Sequence, residues 1–355
     1  MEQCSIILRY VRERDVHERL IALIALINVK STTGEAFYLS LKDQLEKVSL
    51  SVSNIIGCSF DGAANMSGCY NGVQAHIRNV SCSSVYTWCY SHILNLVIVD
   101  ITQCVIPVKL LFGLLEKTAC FFSESYKRMS FDSKVVSEAK YLIHGWTRYE
   151  TLLVSFLFVQ IFEIATPVSD YLQTSGLDIL QALRMVEMAK SQFQKLRPSF
   201  PKLVSLANAF IEKIDHSLDE MSVSAELEKS FLHKRIARKK RMSGELAADE
   251  PLADPLKGFE VQTYYVVIDQ AVNSIDQKFS KNEKLIQDLA FLDPRQFSNI
   301  REEDIPGESL HTVADLAGVD TVQLKSELLN FKDNYPLLKK KPSLPQTATV
   351  TIGET

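Results

Sequence analysis

The hydrophobic period of this chain changes near residue 105, and that change limits the folds open to it. Before it, apolar residues come in short runs separated by turn signals. After it, they recur at three-to-four spacing over long stretches. Short runs suit strands, and a 3.6-residue period suits helices that bury one stripe. The expected class is therefore α/β followed by all-α. Hydrophobic residues at 46% and charged residues at 23% can fill a core and exclude a disordered chain. A net charge of −4 writes no general affinity for nucleic acid into the chain, so any such affinity has to be local.

In the first part, residues 5–10 (SIILRY) and 20–29 (LIALIALINV) read as two strands, a helix being the alternative that periodicity alone leaves open for the second. Arg12-Glu13-Arg14-Asp15 turns them into an antiparallel hairpin. Thr32-Thr33-Gly34-Glu35 reads as a capping box, followed by a helix with Phe37, Leu41, Leu45 and Val48 on one stripe. Residues 55–60 read as a strand ending at Asp61-Gly62, residues 86–89 as another, and residues 92–99 as the start of a helix.

Helices are expected over 108–122, 147–173, 177–195, 203–221 and 262–279, punctuated by Pro167, Pro198 and Pro201. The apolar stretches 93–115 and 152–168 are interrupted by Asp100, Gln103, Pro107 and Lys109, and by Gln160, Glu163 and Pro167. Both read as buried core, and no membrane is expected as a partner. The seven Cys are odd in number and scattered, which argues against a disulfide framework and for a reducing compartment. The start lacks a basic segment followed by an apolar run, so no secretory signal is expected.

Chemistry concentrates in Gly57-Cys58-Ser59-Phe60-Asp61-Gly62-Ala63-Ala64-Asn65-Met66-Ser67-Gly68, then Gly72-Val73-Gln74, then Cys89-Tyr90-Ser91-His92. An acid at the carboxyl end of a core strand sits where α/β sheets place function. Such a carboxylate suits Mg²⁺, which takes oxygen ligands and keeps waters for a phosphate substrate. The plain alternative is that Asp61 starts an Asp-Gly turn or caps the next helix. Cys89 and His92 are three apart, so within one helical turn they share a face. Structural zinc needs four ligands, and Cys58, Cys69, His76 and Cys82 lack tight ligand spacing. The alternative for Cys89 and His92 is a packed thiol and a hydrogen-bonded imidazole.

The string FDGAANMSG, with GVQA and WCYSHILNL after it, resembles the catalytic core of hAT-superfamily transposases, and most closely the zinc finger MYM-type protein 1-like group derived from them. EQCSIILRYV, VHERL, STTGEA, WTRYETL and FLDPRQFSNI agree with it. The resemblance implies an RNase H-like domain interrupted by a large helical insertion, and an Asp, Asp, Glu set that cuts and joins DNA with divalent metal. It maps the second Asp to Asp61 and the C/D-x-x-H motif to the supporting pair Cys89 and His92. The family's T-R-W Trp maps to Trp146, here in the order Trp146-Thr147-Arg148-Tyr149.

Against that family pattern, the segment holding the first Asp and the central strand of the sheet falls before Met1-Glu2-Gln3, and the last acid and the dimerisation segment are not recognisable. Two-metal chemistry needs several carboxylates around the scissile phosphate, and Asp61 alone is not enough. The expectation is an incomplete RNase H-like domain over 1–150 lacking its first strand. A helical region over 151–232 follows, then a basic-then-acidic linker over 233–258, a second helical region over 259–335 and a disordered tail over 336–355. The hairpin and the strand at 55–60 would then lack a shared neighbour.

Six cations, Lys234, Arg235, Arg238, Lys239, Lys240 and Arg241, form a basic run suited to nuclear localisation or phosphate contacts. Its alternative is a solvated helix face or linker, and the acids Glu245, Asp249, Glu250 and Asp254 blunt its reach. The sequence thus reads as a transposase-derived protein without catalysis. DNA is its expected partner, no cofactor is stably bound although the family implies Mg²⁺, and the nucleus is the expected location, with the cytoplasm as the alternative. An active nuclease completed by acids outside this chain, and a protein-interaction scaffold, are the competing readings.

Overall fold

The computed structural model describes residues 3–13, 15–25, 31–82, 84–123, 132–174, 177–220, 226–231, 254–280, 283–297, 300, 301, 303, 305, 306 and 309–339. Among the described residues the chain is mostly helical with two small sheets. It divides into two compact units, residues 1–94, 170–184 and 277–355 forming one and residues 95–169 and 185–276 the other.

In the first unit β1 (Gln3–Arg12) and β2 (Asp15–Ala25) form the antiparallel hairpin, closed at Arg12↔Asp15 with Glu13 in the turn at φ 53°. The second strand begins at Asp15, earlier than its apolar run, because cross-strand pairing with Val11 and Tyr10 carries it through Val16 and His17. Residues 26–29 of that run lie outside the described residues. Ile6 pairs with Ala22 and Ile7 with Leu20, so Ile21 is an extra residue at a bulge. Cys4, Leu8 and Ile21 face the core, whereas Ile7, Leu20 and Leu23 are exposed.

That core is shared with α1 (Gly34–Lys47), a single turn of 3₁₀ helix at Val52–Asn54, β3 (Gly57–Phe60), the short α2 (Ala64–Ser67) and α3 (Val73–Val80). Phe37, Leu45, Val52, Val73 and Ile77 are its buried centre, and Cys58 and Phe60 of β3 pack against it. Val48, expected on the α1 stripe, is instead the exposed residue that ends the helix. The expected capping box at Thr32 and Glu35 is not formed. The cap is Thr33, whose hydroxyl accepts from the Ala36 N–H at 3.4 Å, because the helix starts one residue later and Ala36 rather than Glu35 is third in it. The reciprocal box is at Ser51 and Asn54.

β4 (Val85–Trp88) pairs with β3 in parallel, from Gly57↔Val85 to Phe60↔Trp88. Among the described residues the hairpin and the β3–β4 pair are separate two-stranded sheets. Both lay apolar residues on one core without sharing a hydrogen bond. The rest of this unit includes α12 (Glu283–Phe291), α13 (His311–Ala317) and α14 (Thr321–Lys339), packed around Leu292, Phe297, Ile305, Leu310, Val313, Leu328 and Tyr335.

The second unit is helical. It holds most of α4 (Tyr90–Gln103), then α5 (Ile106–Ser123), α6 (Ser133–Trp146), most of α7 (Tyr149–Leu172) and of α8 (Ile179–Leu196), α9 (Phe200–Glu220), α10 (Pro255–Phe259) and most of α11 (Tyr265–Phe279). As the expected span 147–173 implies, Pro167 lies inside a helix, within α7. A mid-helix proline loses one hydrogen bond and costs about 3 kcal/mol. Here Leu153, Leu157, Ile161, Ala165 and Val168 keep one continuous buried stripe across it, and that burial outweighs the loss. By length and mean hydropathy α7 is long and apolar enough to cross a bilayer, yet this stripe is spent on protein core. A π-helical turn at Glu260–Tyr264 joins α10 to α11, and the buried Tyr264 donates its hydroxyl to the Leu196 carbonyl.

Candidate functional site

Parallel pairing of β3 and β4 brings their carboxyl ends together. The Cys89 N–H donates to the Phe60 carbonyl at 2.9 Å, one step beyond the last strand pair. Asp61 and Cys89 therefore leave the same sheet edge, Asp61 into the loop before α2 and Cys89 into the first turn of α4, where His92 follows. Asp61 is exposed, and Cys89 and His92 are half-buried. The Tyr86 hydroxyl reaches the Asp61 carbonyl at 3.5 Å.

The glycines around Asp61 serve close packing. A Cβ on Gly72 would meet the Gly68 nitrogen and oxygen at 2.5 Å, and one on Gly34 would meet the Asn71 carbonyl at 2.1 Å. The loop is thus pressed onto the start of α1. Asn65 fixes it by donating its amide to the Thr32 carbonyl at 3.0 Å, and Ser67 by donating its hydroxyl to the Gly62 and Ala63 carbonyls at 3.1 and 3.0 Å. Gln74 donates to the Ser67 carbonyl. These bonds account for much of the Gly-Ala-Ala-Asn-Met-Ser-Gly…Gly-Val-Gln pattern without a ligand.

Electrostatics ties neighbouring groups to the same edge. Burial pushes the Cys58 thiol up to about 11. Tyr86 is pushed up to about 12, first by burial and then by Cys58, with smaller contributions from Asp61 and Cys89 and a hydrogen bond to Ser67 acting against them. Burial, then the Asp61 charge, raises Cys4 of β1. Burial therefore favours the neutral forms of Cys58 and Tyr86 at neutral pH.

The Mg²⁺ that the family resemblance implies needs several oxygen donors in one place. Among the described residues no three of His, Cys, Asp and Glu come together where they could hold a metal ion. Asp61 offers one carboxylate, and its neighbours at this edge are thiols, a phenol and the His92 imidazole. The described residues at this edge do not fit a two-metal centre. Trp146 lies in the second unit, where its indole Nε1–H donates to the Thr118 hydroxyl at 2.9 Å and binds α6 to α5. Lys234, Arg235, Arg238, Lys239, Lys240 and Arg241 lie outside the described residues.

Within FLDPRQFSNI the structure shows a polar clamp that pattern reading did not resolve. Arg295 donates from Nε to both Asp293 oxygens at 2.9 and 3.1 Å and from a terminal nitrogen to Asp178 at 2.7 Å. Arg184 adds a contact to Asp293 at 3.5 Å. Burial pushes the Asp293 carboxyl up, but the Arg295 side chain, the Arg295 N–H and the Arg184 charge together hold it below its ordinary value. Asp178 also accepts from the Leu180 and Gln181 N–H groups, capping α8. The only sequence signals were an Asp just before a helix and an Asp-Pro-Arg turn.

Residues 1–72 match the family described as ZMYM1/FAM200, RNase-like domain. The match takes in the hairpin, α1, β3 and Asp61, and stops before Cys89 and His92. The chain matches no curated protein and no solved structure.

Proposed function

We propose that this chain is a transposase-derived protein of the hAT type that does not cleave DNA by its own residues and acts by binding nucleic acid in the nucleus. The match of residues 1–72 to an RNase-like domain supports the origin. The observation that carries the loss of catalysis is Asp61: it leaves a parallel strand edge as the family pattern asks, yet no second and third metal ligand gathers with it among the described residues. Phosphoryl transfer by two metals depends on carboxylates that hold both ions, so one exposed acid leaves the developing charge without its clamp. Nucleic-acid affinity would then be electrostatic, supplied by local clusters such as the run from Lys234 to Arg241.

The test is nicking of supercoiled plasmid in Mg²⁺ or Mn²⁺. Wild type and Asp61→Ala are expected to leave the plasmid intact alike. Metal-dependent nicking by wild type that disappears in Asp61→Ala would overturn the proposal.

A further inference from the structure

The helix pair α5–α6 is tight at one end and open at the other. At the tight end a Cβ on Gly145 would meet Leu114 at 2.8 Å, and Trp146 is bonded to Thr118. Toward the start of α6 the two helices leave a groove of about 450 Å³, lined by Lys117 from α5 and by Lys134, Ser137, Glu138, Tyr141 and Leu142 from α6. The α6 residues fall at helical spacing along one stripe, with buried Leu142 as the floor. The volume lies within the range of small-ligand sites.

Its chemistry is mixed in a specific way. Tyr141 is 56% exposed, far more than an aromatic ring placed for core packing needs. The Lys117 ammonium stands over that ring, 5.0 Å from its centroid. Lys134 brings a second cation one helical turn from Ser137. Glu138 places an acceptor among them, and a carboxylate has several lone pairs to offer beyond any one partner. A simple anion would use the two lysines and leave the exposed Tyr141 ring without a part. A ligand that combines a flat ring, ring N–H donors and a phosphate suits all of these groups. The ring stacks on Tyr141, its N–H groups meet Glu138, and the phosphate lies by Lys117 and Lys134.

We infer that this groove is a nucleotide-binding site for single-stranded nucleic acid, with Tyr141 as the stacking platform and Lys117 and Lys134 as the phosphate contacts. Aromatic and cationic side chains interleave here, which is how single strands are held without sequence readout. They do not interleave in the run 234–241. The inference deepens the nucleic-acid reading above by assigning it a surface of its own.

The experiment is fluorescence anisotropy of a labelled oligothymidylate, titrated with the full chain at several salt concentrations, with inorganic phosphate and AMP as competitors. Loss of one stacked base in Tyr141→Ala is expected to weaken binding about five-fold or more, whereas Tyr141→Phe keeps it. Lys117→Gln and Lys134→Gln are each expected to lower the salt slope by about 0.7. Helical circular dichroism verifies that each variant is folded. Unchanged binding by a folded Tyr141→Ala overturns the site, as does equal loss in Tyr141→Phe. Inorganic phosphate competing as well as AMP overturns the requirement for a ring. AMP binding more tightly than the oligonucleotide overturns the strand as ligand. If Gln at all six cations between 234 and 241 abolishes oligonucleotide binding while Tyr141→Ala changes nothing, the groove falls and the proposed function stands.

Discussion

The Cys89 N–H bonds to the Phe60 carbonyl at 2.9 Å, and this one bond fixes where the candidate site begins. It extends the parallel β3–β4 ladder beyond Trp88, so that Asp61 and the Cys89-x-x-His92 turn emerge side by side. The arrangement needs no ligand to hold it, since strand pairing and the packed glycine loop supply the geometry.

That packing makes Gly72 sensitive. In Gly72→Ala the new methyl group would meet Gly68 backbone atoms at 2.5 Å, which cannot rotate away. Forcing a group into so tight a space is expected to cost about 2 kcal/mol or more. Thermal or urea unfolding measures it. Asp61→Ala, at an exposed position, is expected to change stability by less than about 0.5 kcal/mol in the same assay.

The Asp178–Arg295–Asp293 clamp is expected to give the first unit an acid sensitivity. The Asp293 carboxyl is held below its ordinary value, so its stabilisation is present above the unfolded value of 3.8 and is lost as pH falls through the lower folded value. Asp293→Ala is expected to lose about 2 kcal/mol at pH 7 and a smaller amount near pH 2. Urea midpoints of both proteins at the two pH values decide it, and parallel losses would refute the assignment.

Alkaline behaviour runs the other way. Cys58 and Tyr86 have folded values raised to about 11 and about 12 from 9.0 and 10.0. Their contribution is complete below the unfolded values and is lost as pH climbs through the folded ones, so stability is expected to fall between pH 9 and 12. At pH 8 Cys58 is expected to react with iodoacetamide more slowly than the exposed Cys69, Cys82 and Cys120, as peptide mass spectrometry would show.

Trp146 is expected to act as a helix fastener. In a double-mutant cycle of Trp146→Phe and Thr118→Val, the bond between them is expected to appear as a coupling of about 1 kcal/mol. A coupling near zero would show that packing alone holds α5 to α6.

Local signals made the local elements legible. The charged turn at Arg12-Glu13 marked the hairpin, the Phe37-Leu41-Leu45 stripe marked α1, and Ile55-Ile56 running into Asp61-Gly62 marked the strand end that carries the candidate acid. The separation into two sheets was not marked by any single run, because strand pairing is a long-range choice. The helix α6 is not legible in the sequence although Asp132 precedes it and Val135, Ala139 and Leu142 keep its period, since its exposed Val136, Tyr141 and Ile143 blur the stripe. The apolar spacing over 147–173 marked α7 through Pro167, although the burial that offsets the proline's local penalty is not visible in sequence. The partners Asp178 and Arg295 are 117 positions apart, and no periodicity joins them.

Among the described residues no further metal ligands gather with Asp61, and the proposed function requires that it be part of no metal clamp. The most direct test of that requirement is a Mn²⁺ titration of the wild-type chain and of Asp61→Ala, followed by the free-ion electron paramagnetic resonance signal. Superimposable titrations are expected. One or two tightly held ions in the wild type that vanish in Asp61→Ala would contradict the account.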